Sequence, residues 1–116
     1  MIKRNDEHKI DVAENLFGEE GSIIFKRIIE TPEELYGKGR VFSVVTFNKD
    51  CGIGWHVHNG DGEYYYILSG EAEYNDNGKI VTLKAGDTSF CANGEGHAMK
   101  NVKDEPCVFI ALIVYD

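Results

Sequence analysis

The stretch "GWHVHNGDGEYYYILSG", residues 54–70, decides how this chain is read. His56 and His58 stand two residues apart, the bend "NGDG" follows, and Glu63 opens a run of tyrosines. In a strand, successive side chains point to opposite faces with about 3.3 Å of rise, so His56 and His58 project from one face roughly 6–7 Å apart at Cα. Two imidazoles so placed can converge on one ion at about 2.0–2.1 Å from each nitrogen. The glycines of the bend ease a tight reversal, after which Glu63 can turn its carboxylate to the same point. On this alternation Glu63, Tyr65 and Ile67 share the inner face, while Tyr64 and Tyr66 look outward.

A His-x-His pair alone is ordinary on a wet sheet face, and a nearby acid means little in a chain with 20 Asp and Glu. The stretch "GDTSFCANGEGHAMKN", residues 86–101, changes that weighing. A second glycine-rich turn delivers His97 at the start of a strand, and of the four histidines only His8 is left over. Three histidines and one glutamate thus follow glycine-rich bends at strand starts.

The surrounding sequence is punctuated the same way. Period-two alternation predicts strands over 22–30, 41–48, 53–58, 63–68, 71–75, 79–83, 88–91, 97–102 and 107–115, the last apolar on both faces. Asn77-Gly78 is a strong hairpin signal, because both turn positions need positive φ. "TPEELYGKG", 31–39, allows one short helical turn with Thr31 as cap and Pro32 at the first helical position. Many short strands at this spacing predict an all-β chain folded as one antiparallel barrel or sandwich. The length, 116 residues, suits one domain. We assign 21–116 to the barrel and 1–20 to an N-terminal arm or edge strand.

Composition narrows the function. Twenty acidic against 12 basic residues give a formal charge of −8, which repels phosphate backbones and anionic lipid and argues against nucleic-acid or membrane partners. The same surface slightly favours a neutral or cationic small ligand over an anionic one. No run approaches the roughly 18 apolar residues of a membrane span, and "MIKRNDEHKIDVAENL" does not read as a signal peptide. Cys51, Cys91 and Cys107 are odd in number and lack a CxxC pair, so a disulfide framework is not expected and a reducing cytoplasm is.

The two histidine-bearing segments resemble the two signature motifs of the cupin superfamily. The first motif has the form G-x5-H-x-H-x3–4-E-x6-G, matched by His56, His58, Glu63 and Gly70, with Asp50 at the leading glycine position. The second, G-x5-P-x-G-x2-H-x3-N, is matched by Gly86, Gly94, His97 and Asn101, with Ala92 at the proline position. The resemblance implies a cupin-type β-barrel, that is a jelly roll or double-stranded β-helix, holding a divalent metal (Fe, Mn, Ni or Zn) on His56, His58, Glu63 and His97. It also implies a homodimer. Three imidazoles and one carboxylate can leave two octahedral positions open for water, substrate or dioxygen.

Two readings of function follow. One is a metal-dependent enzyme acting on a small polar metabolite as an oxygenase, isomerase or lyase, with Glu63 as ligand and catalytic proton carrier. The other is a non-catalytic barrel that binds or senses a small ligand. The intact ligand set leans toward the enzyme. Arg27, Tyr65 and Met99 are candidate substrate-pocket residues: Arg27 shares a strand face with Ile23 and Phe25, and Tyr65 and Met99 alternate with Glu63 and His97. A strand-end position reaching water is the simpler account of Arg27, and barrel filling is the simpler one of the other two. Asn101 reads as a structural hydrogen-bonding residue, and Trp55 as outer packing or a dimer contact.

Overall fold

The computed structural model describes residues 1–116, which form ten strands joined by short turns, with three one-turn 3₁₀ segments and no α-helix. The strands are β1 (Ile10–Glu14), β2 (Ser22–Arg27), β3 (Gly39–Phe47), β4 (Gly52–Val57), β5 (Asp61–Ser69), β6 (Glu71–Asp76), β7 (Lys79–Lys84), β8 (Thr88–Cys91), β9 (Gly96–Lys100) and β10 (Cys107–Tyr115). They make a six-stranded sheet ordered β1-β2-β3-β10-β5-β8 and a four-stranded sheet ordered β4-β9-β6-β7. Every pairing is antiparallel. The sheets face each other as a jelly roll rather than a fully closed barrel.

Alternation puts the core where the sequence predicts. In β10, Cys107, Phe109, Ala111 and Ile113 are buried and the residues between them are not. Beside them in the same sheet, β3 contributes Val45 and Phe47 and β5 contributes Tyr65 and Ile67, while β6 of the opposite sheet contributes Ala72 and Tyr74. Phe47 and Phe109 meet edge to face with centroids 4.9 Å apart, the offset geometry that aromatic quadrupoles prefer. The β6–β7 hairpin closes with Asp76 opposite Lys79, and both turn residues, Asn77 and Gly78, have positive φ (51° and 101°), as a primed two-residue turn demands.

Two strands are shorter than the sequence predicts. The strand expected over 22–30 leaves the ladder after Arg27, and Ile28 and Ile29 both hydrogen-bond the Phe42 carbonyl as the chain turns toward Pro32. The one expected over 97–102 stops at Lys100 because Asn101 takes over the local bonding. Its side-chain amide donates to the carbonyls of Phe47 (3.0 Å) and Glu105 (2.8 Å), and its Oδ1 accepts from the Lys103 N–H (2.9 Å). Asn101 is thus a structural clamp between the two sheets. Asp50, at the motif's glycine position, has φ +63°. The left-handed conformation is kept by a residue whose short polar side chain tolerates it.

Candidate metal centre

Three strands and one bend bring the candidate ligands together. His56 on β4 lies directly opposite His97 on β9, and Glu63 is on β5 of the other sheet. His58 lies just past the end of β4, yet its backbone stays paired, its N–H donating to the Glu95 carbonyl (3.0 Å) and its carbonyl accepting from Gly94 (2.7 Å). A one-residue bulge falls between Ile53 and His56. It allows Ile53 and His56 both to face inward while Trp55 points out, 48 % exposed, the re-aiming that bulges near functional sites perform.

The four ligand atoms lie within 4.8 Å of one another. His97 Nε2 is 2.9 Å from His56 Nε2, 3.1 Å from His58 Nε2 and 3.2 Å from Glu63 Oε1. His58 Nε2 is 3.4 Å from the same carboxylate oxygen. Adjacent ligands of an octahedral ion at about 2.1 Å stand about 3 Å apart, so the spacing fits a metal.

The other ring nitrogens explain why the Nε2 atoms turn inward. His56 Nδ1 donates to the Gly54 carbonyl at 2.8 Å and His58 Nδ1 to Asp61 Oδ1 at 2.6 Å. Both acceptors lack a proton, so both rings carry theirs on Nδ1 and, when neutral, present a bare lone pair at Nε2. His97 Nδ1 is 2.8 Å from the Tyr74 hydroxyl. The Nε2 lone pairs of neutral His56 and His58 and the Glu63 carboxylate, facing one another, repel unless a cation or protons sit among them. That donor set, with each imidazole oriented from behind, is the arrangement metal sites use.

Protonation follows from the same contacts. Burial pulls the His56 pKa down, favouring the neutral ligand form. The His58 pKa is raised, chiefly by its hydrogen bond to Glu63, with burial opposing and Asp61 assisting. Burial acts to raise the Glu63 carboxyl, but hydrogen bonds from His58 and His97 outweigh it and hold it at about 2. Asp61 is likewise kept ionised against burial by Arg40, 2.9 Å away, and His58.

Of the candidate pocket residues, Tyr65 is at the site. It is 2 % exposed, stacks on the His97 ring with centroids 5.0 Å apart, and burial holds its phenol well above the ordinary range and therefore protonated. Together with Glu63 it lines a small cavity of about 30 Å³ whose other walls, Phe25, Phe47 and Phe109 among them, are apolar. Met99 is buried in the core and is not among the cavity's walls. Arg27 is likewise absent from them. Its Nε donates to Asp11 Oδ2 at 2.9 Å, and its guanidinium sits 4.5 Å over the Phe25 ring.

Sequence reasoning missed the partners behind the ligands: Asp61, Tyr74, Arg40 and the Gly54 carbonyl. Only Asp61 left a trace, as an acid three residues after His58 inside a glycine bend. Phe17, whose ring lies against His56, left none.

The cupin domain family matches residues 43–115. An oxalate-binding protein of Thermotoga maritima is 33 % identical over 114 residues, covering 98 % of this chain and 93 % of that one. The crystal structure of a predicted oxalate decarboxylase, also from Thermotoga maritima, superposes over 100 % of both chains with a TM-score of 0.94 at 33 % identity. A double-stranded β-helix protein of Klebsiella pneumoniae, 30 % identical, covers 80 % of this chain and 72 % of its own with a TM-score of 0.68.

Proposed function

The chain belongs to the cupin domain family, and we propose that it is a metal-holding cupin that binds oxalate or a similarly small carboxylate. The carrying observation is the convergence of His56, His58, Glu63 and His97 with their Nε2 atoms and carboxylate turned to one point. These residues hold a divalent ion, which supplies a Lewis-acidic centre for a carboxylate's oxygens. A divalent ion on three neutral imidazoles and one carboxylate leaves one net positive charge at the site. The overall charge of −8 argued for a neutral or cationic ligand. At contact distance the local charge dominates, because surface charges are screened beyond about 8–10 Å.

The chain's own residues define what fits. The cavity beside Glu63, about 30 Å³, has room for one or two water-sized groups at most, so it admits no large metabolite, and an acid on the ion lies mostly outside it. Its walls are mostly apolar, and Tyr65, protonated at any physiological pH, offers a hydroxyl donor. The relative called an oxalate-binding protein, 33 % identical along nearly the whole chain, supports the ligand class.

A metal-dependent decarboxylase or other enzyme is the second reading, favoured by the relative called a predicted oxalate decarboxylase. In it Glu63 is the proton carrier beside the reacting acid. We place the protein in a reducing compartment, from its three free cysteines. We also assign it a homodimer through the outer face of the six-stranded sheet, where Tyr64, Tyr66 and Phe90 stand 42–44 % exposed; sedimentation at the monomer mass rejects that.

One experiment addresses both readings. Apo protein is reconstituted separately with Fe(II), Mn(II), Ni(II) and Zn(II), then given oxalate and a panel of small acids with and without air. A metal-dependent rise in melting temperature with oxalate, and no product, is the expected result. Formate or carbon dioxide appearing establishes the enzyme instead, and no shift with any metal removes the ligand assignment.

A further inference from the structure

Three of the four converging residues are closed to solvent: His58, Glu63 and His97 are 4 %, 6 % and 1 % exposed. His56 is only half-buried. It lies on β4, the edge strand of the four-stranded sheet, so the open side of the cluster is at its ring. The connection between β1 and β2 comes down on that edge. Its short turn, Leu16–Gly18, lays the Phe17 ring on the His56 ring, with centroids 4.5 Å apart and planes 15° from parallel. The approach is so close that a Cβ on Gly54 would stand 2.0 Å from the Phe17 carbonyl oxygen. Only glycine at position 54 admits the turn.

Phe17 sits in an unfavourable conformation. Its φ and ψ are +53° and +36°, a left-handed region where a bulky side chain is a genuine outlier. It is also 57 % exposed, so burial does not account for the strain. Strained residues of this kind persist where surroundings enforce them, and they gather at ligand clamps and switches. The enforcing contacts flank the ring. Leu16 packs on the core, Glu19 pairs with Lys100 at 2.8 Å, and the Asn15 N–H donates to the Gly21 carbonyl at 2.9 Å. The turn is pinned on both sides while its tip holds an aromatic ring over a ligand histidine.

We infer that Phe17 is the access gate of the ligand cluster, a specificity-determining residue that small ions and acids must displace to reach or leave the site. The inference rests on reading the cluster as a metal centre. Passage requires the ring to swing off His56 or the turn to relax, whereas the donors of the loaded site do not include Phe17. Removing the ring therefore lowers the barrier in both directions and leaves the equilibrium alone. A merely structural role would alter affinity or the ligand field instead.

Cobalt(II) is the probe, followed by its visible absorption in stopped flow. Loading is measured on mixing with apo protein, and release on mixing loaded protein with excess chelator. Phe17→Gly removes the ring and lets the backbone keep positive φ without strain. It should load and release about tenfold faster, the factor for about 1.4 kcal/mol of barrier, with Kd and spectrum unchanged. Phe17→Trp, a larger ring, should slow both rates, and it decides the matter if the glycine variant melts early. Equal rates in wild type and both variants overturn the gate and leave the metal reading standing. A changed Kd or spectrum without paired rate changes also overturns it, making Phe17 a positioning residue for His56. Failure of the wild type to take up cobalt removes the metal reading, and the gate falls with it.

Discussion

The interior of the barrel has two halves built by different means. In one, Ile23, Val45, Phe47, Ile67 and Phe109 are apolar and 0–2 % exposed, placed by period-two alternation along β2, β3, β5 and β10. In the other, His56, His58, Glu63 and His97 are aimed by a bulge, a chain reversal and hydrogen bonds to Gly54, Asp61 and Tyr74. Tyr65 stands on the border, stacked on His97 on one side and 4.8 Å from Phe109 on the other. The first half derives stability from removing apolar area from water. The second concentrates buried polar groups whose desolvation opposes folding unless each finds a partner. Stability and function are thus separable within one small interior, and substitutions should divide accordingly.

The largest effect is expected in the polar half. His56→Ala together with His58→Ala should reduce bound metal from about one ion per chain to near none, since the remaining donors cannot close the shell. Elemental analysis of purified protein measures it, and full metal content in the double variant breaks the comparison. In the apolar half, Ile67→Ala should destabilise by ~2–5 kcal/mol in urea titration while metal stoichiometry stays as in the wild type. Loss of metal from the folded variant would show that the halves are coupled. Behind the ligands, Asp61→Asn should weaken metal binding by about 10–100-fold without abolishing it, read by competition with a chromogenic chelator.

The smallest effect compares two thiols. Burial pushes both Cys91 and Cys107 up to about 11, so alkylation at neutral pH should reach Cys51 first. Cys91 stands opposite Glu63 in the ladder, and Cys107 lies in the apolar cluster. Metal should therefore slow the modification of Cys91 and leave Cys107 unaffected, as mass spectrometry of labelled peptides can show. Equal slowing of both thiols would mean that metal tightens the whole barrel.

The same division governs what the sequence discloses. Alternation in "CVFIALIVY" and "EYYYIL" makes the apolar half legible, because a period of two maps directly onto a buried face. The four ligands were legible too, since His-x-His, Glu and a distant His recur after glycine bends. Their supports were not. Tyr74 and Arg40 approach from β6 and β3, and a partner 23 residues away, as Tyr74 is from His97, leaves no periodic mark. The extent of β2 and β9 was overestimated because local propensity does not register a side chain such as Asn101 bonding across sheets. Phe17 was invisible for a different reason: its conformation contradicts its own preference.

The central place of β10 carries one more consequence. β5, the strand of Glu63, is hydrogen-bonded to β10 on one side and to short β8 on the other, with Glu63 opposite Ile113. β10 in turn pairs with β3, joining Cys107 to Phe47 across a long span of chain. Contacts so distant in sequence form slowly, since the loop must close before the pairing repays its entropy. During synthesis, then, the histidines at 56, 58 and 97 emerge while the strand that seats Glu63 still lacks its main partner. The four donors become a single site only after residues 107–115 have been made and have threaded between β3 and β5, so on the metal reading ion capture would come late in the maturation of this chain.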